Sequence, residues 1–237
     1  YIKVFLQGPY ENGAMSDALR STGLVPTDDP YPGLAMHTGN NATVYAHTLA
    51  ATTERKVIDW LLVELRDSQT PTTVLQTFAA LVLSDGTVID PQGGPLMVPS
   101  STGARFVAVR HRNHLGVMTA TPVDLSTGAV VIDLTDPVTA VYGAEPLATM
   151  ANGSKALWTG DVNRDGFIRY TGTENDRDRI LSLIGGVVPT ATVPGYLSED
   201  LDLDGIVRYT GTNNDRDLIL QNIGGVVPTN MRMEQLP

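Results

Sequence analysis

The feature that most constrains this chain is a duplication. Asp161, Asn163, Asp165, Gly166, Phe167 and Ile168 return as Asp200, Asp202, Asp204, Gly205, Ile206 and Val207. Oxygen-bearing side chains at loop positions 1, 3 and 5, glycine at 6 and a β-branched residue at 8 describe a cradle for one hard cation. Alternate side chains converge on it, the glycine permits the sharp turn, and the carbonyl of residue 7 adds another oxygen. The copy runs on beyond the loop. Arg169-Tyr-Thr-Gly-Thr173 matches Arg208-Tyr-Thr-Gly-Thr212, Asn175-Asp-Arg-Asp178 matches Asn214-Asp-Arg-Asp217, and Ile184-Gly-Gly-Val-Val-Pro-Thr190 matches Ile223-Gly-Gly-Val-Val-Pro-Thr229.

After each loop, apolar residues at i, i+1, i+3 and i+4 (Ile180, Leu181, Leu183, Ile184 and the twin set from Ile219) spell a short amphipathic helix. Aspartates lead each helix and Gly-Gly ends it, which is cap chemistry at both ends. Barely two turns long, neither helix is stable alone; each must pack on its twin, on the loops or on the rest of the chain.

The preceding residues have another texture. β-branched residues and threonine alternate with Gly and Pro turns, giving candidate strands over 2–7, 43–49, 57–66, 74–83, 87–90, 105–112, 117–121 and 129–134. Ser84-Asp-Gly86, Gln92-Gly-Gly-Pro95 and Ser126-Thr-Gly128 read as hairpin turns. Residues 57–66 begin apolar on both faces and suit a central strand, and one short helix fits 15–20 with Ser16 as its cap. The expectation is a mainly β protein, an antiparallel β-sandwich over 1–150 followed by a small α region of two calcium-loop–helix repeats over 151–237. No Pro/Ser-rich linker separates the two, so they should touch.

Composition narrows the function classes. The formal net charge of −10 argues against nucleic acid or an anionic membrane as partner. No apolar stretch approaches the roughly 20 residues of a membrane-spanning helix. The absence of cysteine removes disulfides, thiolate metal sites and cysteine nucleophiles. Millimolar calcium outside the cell suits loops of this kind, which favours an extracellular or cell-surface setting. The opening on a strand-like segment without a signal peptide reads as a mature product or an excised piece.

The loop-then-helix duplication resembles a dockerin type I pair of half EF-hands, over roughly residues 160–186 and 199–225. That resemblance implies two Ca²⁺ sites. The first would use Asp161, Asn163, Asp165 and the Phe167 carbonyl, the second Asp200, Asp202, Asp204 and the Ile206 carbonyl, with Ile168 and Val207 forming a small bridge between paired loops. Position 12, which closes such loops with a carboxylate, is Gly172 and Gly211 here. Counting back from the helices, Asp176 and Asp215 stand where the closing ligand belongs, with Asp178 and Asp217 as alternatives. The whole chain also resembles a C-terminal module of large secreted, hemagglutinin- or adhesin-like proteins of Bacteroidetes. The residues that carry this are Leu6-Gln-Gly-Pro-Tyr10, Asp59-Trp60, Glu64-Leu-Arg66, His111-Arg-Asn-His-Leu-Gly-Val-Met118, Leu157-Trp-Thr-Gly-Asp161, both Tyr-Thr-Gly stretches and Glu234-Gln-Leu-Pro237. The resemblance implies a surface location and export by the type IX route.

Other clusters read more plainly. His111 and His114 with Asn113 lack an HExxH spacing or a nucleophile elbow and read as locally bonded strand-end residues; His37 and His47 stand isolated. Asp59 and Glu64 beside Trp60 read as charges at a sheet rim rather than glycosidase acids. Trp158 reads as an anchor between the two regions. Arg177 and Arg216 should neutralise loop carboxylates. Arg169, Tyr170, Arg208 and Tyr209 are candidates for partner contact, with loop packing as the alternative. The resulting expectation is a non-catalytic, calcium-stabilised module with structural, adhesive or assembly roles. Its protein partner is unidentified, or it self-assembles along an edge strand over 1–7. A sugar site on the sandwich is the alternative, weakened by an aromatic content of 6%.

Overall fold

The computed structural model describes residues 1–32, 42–51, 55–99, 102–126, 128 and 130–237. His37 and parts of the readings at 126–128 and 129–134 lie outside the described residues.

Strand Val57–Arg66 is buried along its whole length and forms the middle of a six-stranded antiparallel sheet. Most of its residues on both faces are apolar, which suits a strand covered on both sides. On one side it pairs with Val74–Leu83, Val63 opposite Phe78, and on the other with Ala104–Arg110, Val63 opposite Val109. Val88–Ile89 and Val117–Met118 complete the two edges, and Val123–Asp124 pairs with the start of Ala104–Arg110. The Ser84–Gly86 turn reverses the chain as expected, with Gly86 at φ 86° donating its N–H to the Leu83 carbonyl at 2.8 Å. The remaining strand pairs among the described residues are two-stranded. Strands predominate, so the mainly β expectation holds.

Three local expectations need correction. Residues 46–49 form a helical turn, not a strand. Val44 is held extended by the Thr27 carbonyl, but Ala46-His-Thr-Leu49 has no period-2 alternation to carry a strand onward. The early helix spans Ala18–Ser21, and Ser16 does not cap it, because Ala14–Met15 is pulled into a hairpin with Tyr10–Glu11. Segment 1–7 is not a free edge. Ile2–Lys3 pairs in parallel with Ile132–Asp133, Val4 donates to the Gly86 carbonyl at 2.8 Å, and Leu157 donates to the Phe5 carbonyl at 2.8 Å. Val4, Phe5 and Leu6 are buried.

The duplicated region builds its interior from equivalent positions. Val162 and Leu201, Ile168 and Val207, Ile180 and Ile219, and Ile184 and Ile223 form one buried cluster, joined by Leu115 from the sheet region. Helices Asp176–Leu183 and Asp215–Asn222 follow the two loops. Their caps are Asn175 and Asn214, whose side chains accept from the N–H of Asp178 and Asp217. The resemblance implies a direct bridge between the loops at Ile168 and Val207. Instead each repeat lends its tail to the other: Phe167–Arg169 pairs with Met231–Met233, and Ile206–Arg208 pairs with Thr192–Pro194. The exchange is reciprocal, since the Thr171 hydroxyl donates to the Pro228 carbonyl at 2.9 Å and the Thr210 hydroxyl to the Pro189 carbonyl at 2.8 Å. Among the described residues no helix is long and apolar enough to cross a membrane.

Candidate metal centre

Each loop is shaped by its own carboxylates. In the second, Asp200 accepts the N–H of Asp204 at 3.1 Å and of Gly205 at 2.9 Å, Asp202 accepts that of Asp204 at 3.2 Å, and Asp204 that of Ile206 at 2.8 Å. The first repeats the pattern: Asp161 takes Asp165 and Gly166 at 3.1 Å each, Asn163 takes Asp165 at 3.0 Å, and Asp165 takes Phe167 at 2.9 Å. Gly166 and Gly205 sit at φ 81° and 87°, where a side chain would be strained, which is why position 6 is glycine in both copies. Among the described residues, Asp200, Asp202 and Asp204 offer oxygens all within 4.8 Å of one another, a set that could hold a metal ion. The first loop has Asn163 where the second has Asp202, one acidic oxygen donor fewer.

The structure separates the alternative closing residues. Asp176 is buried and turned into its loop, accepting the N–H of Val162 and of Arg169 at 2.8 Å each. Asp215 does the same, taking Leu201 at 2.6 Å and Arg208 at 2.7 Å. Asp178 and Asp217 face outward, bound to Asn175 and Arg177 and to Asn214 and Arg216. The reason is the asparagine cap: by starting the helix one residue ahead of Asp176, it aims that carboxylate back at the loop.

Crowding shows in the ionisation of these groups. Burial, then the neighbouring Asp176, lifts Asp161 to about 7. Burial lifts Asp176 to about 7, and burial with Asp204 and Asp200 nearby lifts Asp202 to about 7. Burial, with Asp202 and Asp200 also repelling, takes Asp215 to about 8. Asp200 is lifted by burial only to about 6, because the Arg112 guanidinium favours its charged form. Clustered carboxylates this reluctant to ionise are electrostatically matched to a cation.

Arg177 and Arg216, expected at the loop carboxylates, lie instead against Asp178 and Asp217 and over the rings of Tyr170 and Tyr209, each at 5.0 Å. Arg169 and Arg208, at loop position 9, reach Asp165 and Asp204. Tyr170 and Tyr209 are half-buried in the repeat core. The repeat itself carried the signal for this role: an arginine at position 9 in both copies.

The second loop is also tied to the sheet. Asn113 donates to the carbonyls of Ser198 at 2.9 Å and Asp200 at 2.7 Å, and the Thr159 hydroxyl donates to that of Leu201 at 3.1 Å. Arg112 donates to the Leu197 carbonyl and lies 4.3 Å over the Tyr196 ring. A cleft of about 550 Å³, lined by Gly8, Pro9, Tyr10, Asp202, Asp204 and Gln221 among others, gives solvent a route to this loop.

Asp59 and Glu64 are fully buried in mid-strand, not rim charges. Asp59 accepts from His111 at 3.0 Å, Arg112 at 3.0 Å and the Tyr196 hydroxyl at 2.7 Å. Burial alone would raise its carboxyl, but Arg112 and His111 hold it at about 2. His111 and His114 meet at 2.9 Å, both lowered by burial, His114 the further. Glu64 belongs to a different group, paired with Arg66 and Arg110 at 2.7 Å each, so it does not stand with the histidines. Arg110 also holds Glu234 of the C-terminal segment at 2.9 Å. Trp158 is partly buried, donating to the Glu145 carbonyl at 3.2 Å beneath Arg232.

Comparison with family models, with curated proteins and with solved structures finds no match to this chain.

Proposed function

We propose that this is a non-catalytic, calcium-stabilised extracellular module of a larger secreted surface protein, with a structural, adhesive or assembly role. The observation that carries the reading is the second loop. Asp200, Asp202 and Asp204 converge, and Asp215 closes the loop from behind. Burial and repulsion lift Asp200, Asp202 and Asp215 above the usual carboxylate range. A hard divalent cation relieves that repulsion and takes oxygen ligands of this kind. The first loop, with Asp161, Asn163, Asp165, the Phe167 carbonyl and Asp176, would hold a second ion in a less acidic set. The ion's contribution is cohesion: bound by the folded state only, it stabilises by RT ln(1 + [Ca]/Kd), about 2.7 kcal/mol per site at a hundredfold excess.

In this reading the β region, sandwich-like, is the platform and the dockerin-like repeats are the calcium-set part. The placement as a C-terminal module of Bacteroidetes surface proteins rests on the sequence resemblance alone. The test is a thermal melt of the chain in about 2 mM Ca²⁺, an extracellular level, against chelator, with Asp165→Ala and Asp204→Ala alongside. The expected outcome is a calcium-dependent rise in Tm that both variants reduce. Superimposable curves would sink the reading.

A further inference from the structure

The two position-9 arginines occupy the ground a cation would take. The Arg208 Nη1 donates to the Asp204 carboxylate and, at 3.2 Å, to the Ile206 carbonyl. These are two of the oxygens the second site would use. Asp204, Asp202 and Asp215 all favour the charged guanidinium. In the first loop Arg169 reaches the Asp165 carboxylate, while its guanidinium lies 4.0 Å over the Phe167 ring. No hydrogen bond from it to the Phe167 carbonyl is present, so the equivalent hold is looser.

We propose that Arg208, and more weakly Arg169, is a tethered counter-cation that competes with the metal for its own loop and so sets the calcium affinity. This rests on the calcium reading above. Three physical points carry it. The guanidinium and the ion share acceptor oxygens, so binding one requires releasing the other. Like charges a few ångströms apart repel, so an arginine left in place would weaken a divalent ion. And position 9 follows the loop on the short strand Ile206–Arg208, whose backbone is fixed by pairing with Thr192–Pro194. The side chain can therefore swing outward without moving the loop. The arrangement keeps the carboxylates partly neutralised while calcium is scarce, so the loop has a defined shape before the ion arrives.

The deciding experiment is titration calorimetry of Ca²⁺ into the full chain and its Arg208→Gln, Arg169→Gln and Arg179→Gln forms. Arg179 is the charge control, since it pairs with Glu174 at the surface. Arg208→Gln should bind at least about tenfold more tightly, Arg169→Gln should gain less, and Arg179→Gln should match the parent. Calcium binding that emerges only once Arg208 is removed would support the proposal equally. A parent that binds calcium while Arg208→Gln binds no more tightly overturns the proposal and leaves the calcium reading standing. An equal gain in the Arg179 control overturns it too, reducing the effect to net charge. If no form binds, the calcium reading falls and this one with it.

A second measurement needs no variant. Calcium should raise the reactivity of Arg208 toward phenylglyoxal, read on its peptide by mass spectrometry, because the ion would displace the guanidinium from Asp204. Unchanged reactivity at a calcium concentration that calorimetry shows to be saturating would overturn it.

Discussion

Two residues along the first turn of each helix separate the loop-facing Asp176 from the outward Asp178, and the loop-facing Asp215 from the outward Asp217. Removing Asp215 strands the buried N–H of Leu201 and the part-buried N–H of Arg208, so Asp215→Ala should cost about 3 kcal/mol and, on the proposed calcium reading, abolish calcium stabilisation of the second loop in a chemical-denaturation series. Asp217→Ala loses a partly exposed pair with Arg216 and the hydrogen bond from the Asn214 amide, and should cost about 1 kcal/mol. The choice between them was half legible: spacing named both aspartates, but only the Asn214 cap decided which one turns inward. His111 and His114 make a second prediction at this scale. They meet each other at 2.9 Å, His111 also reaches Asp59, and burial lowers both pKa values. The unfolded chain therefore binds protons more readily than the folded one. Their contribution is fully present above the unfolded histidine value of about 6.5 and is lost as pH falls below it. Melting profiles between pH 8 and 5 should fall more steeply for the parent than for a His111→Gln, His114→Gln double variant; parallel profiles would contradict this.

Among the elements, the long strands were legible to the residue. Val57–Arg66 and Val74–Leu83 match the expected spans, because ten residues of mostly apolar, β-branched pattern leave little choice. The short ones were legible only in outline. Ile2–Lys3 and Ile132–Asp133 fall inside the expected strands over 2–7 and 129–134 but keep two residues each, set by their parallel pairing, and Lys155–Leu157 was not foreseen, since three residues paired with Leu147–Thr149 carry no period of their own. The reciprocal tail pairing of the repeats was also invisible, since Thr192–Pro194 and Met231–Met233 have unlike sequences. At this scale the contact between Gly8 and the second loop is the sharpest test. A methyl group there would collide with the Leu201 carbonyl. Gly8→Ala should cost about 2 kcal/mol or more and weaken calcium binding at the second loop; an unchanged Tm and affinity would show that the loop does not depend on this seat.

Across the whole molecule the β region and the repeats are bonded together rather than merely adjacent. Leu203 of the second loop lies in the main core, Gln7 and Asn222 exchange hydrogen bonds at 2.9 and 2.8 Å, and Arg112 spans from Asp59 to Leu197. Arg112→Ala leaves Asp59 buried without its guanidinium and should cost about 3–5 kcal/mol. By the same logic the full chain should melt in one transition, and a fragment of residues 1–150 should give no cooperative transition in calorimetry. The sequence by itself determined the repeat, the position of its oxygen donors and the predominance of strands. These follow from local spacing and periodicity, which a linear chain displays directly. Only the tertiary structure decided which aspartates turn into the loops, that the position-9 arginines reach the carboxylates of Asp165 and Asp204, and that Asp59, Glu64 and the histidines are interior. Those outcomes depend on burial and on partners far away in sequence, and the energy of a charged group is set by what surrounds it, not by its neighbours along the chain.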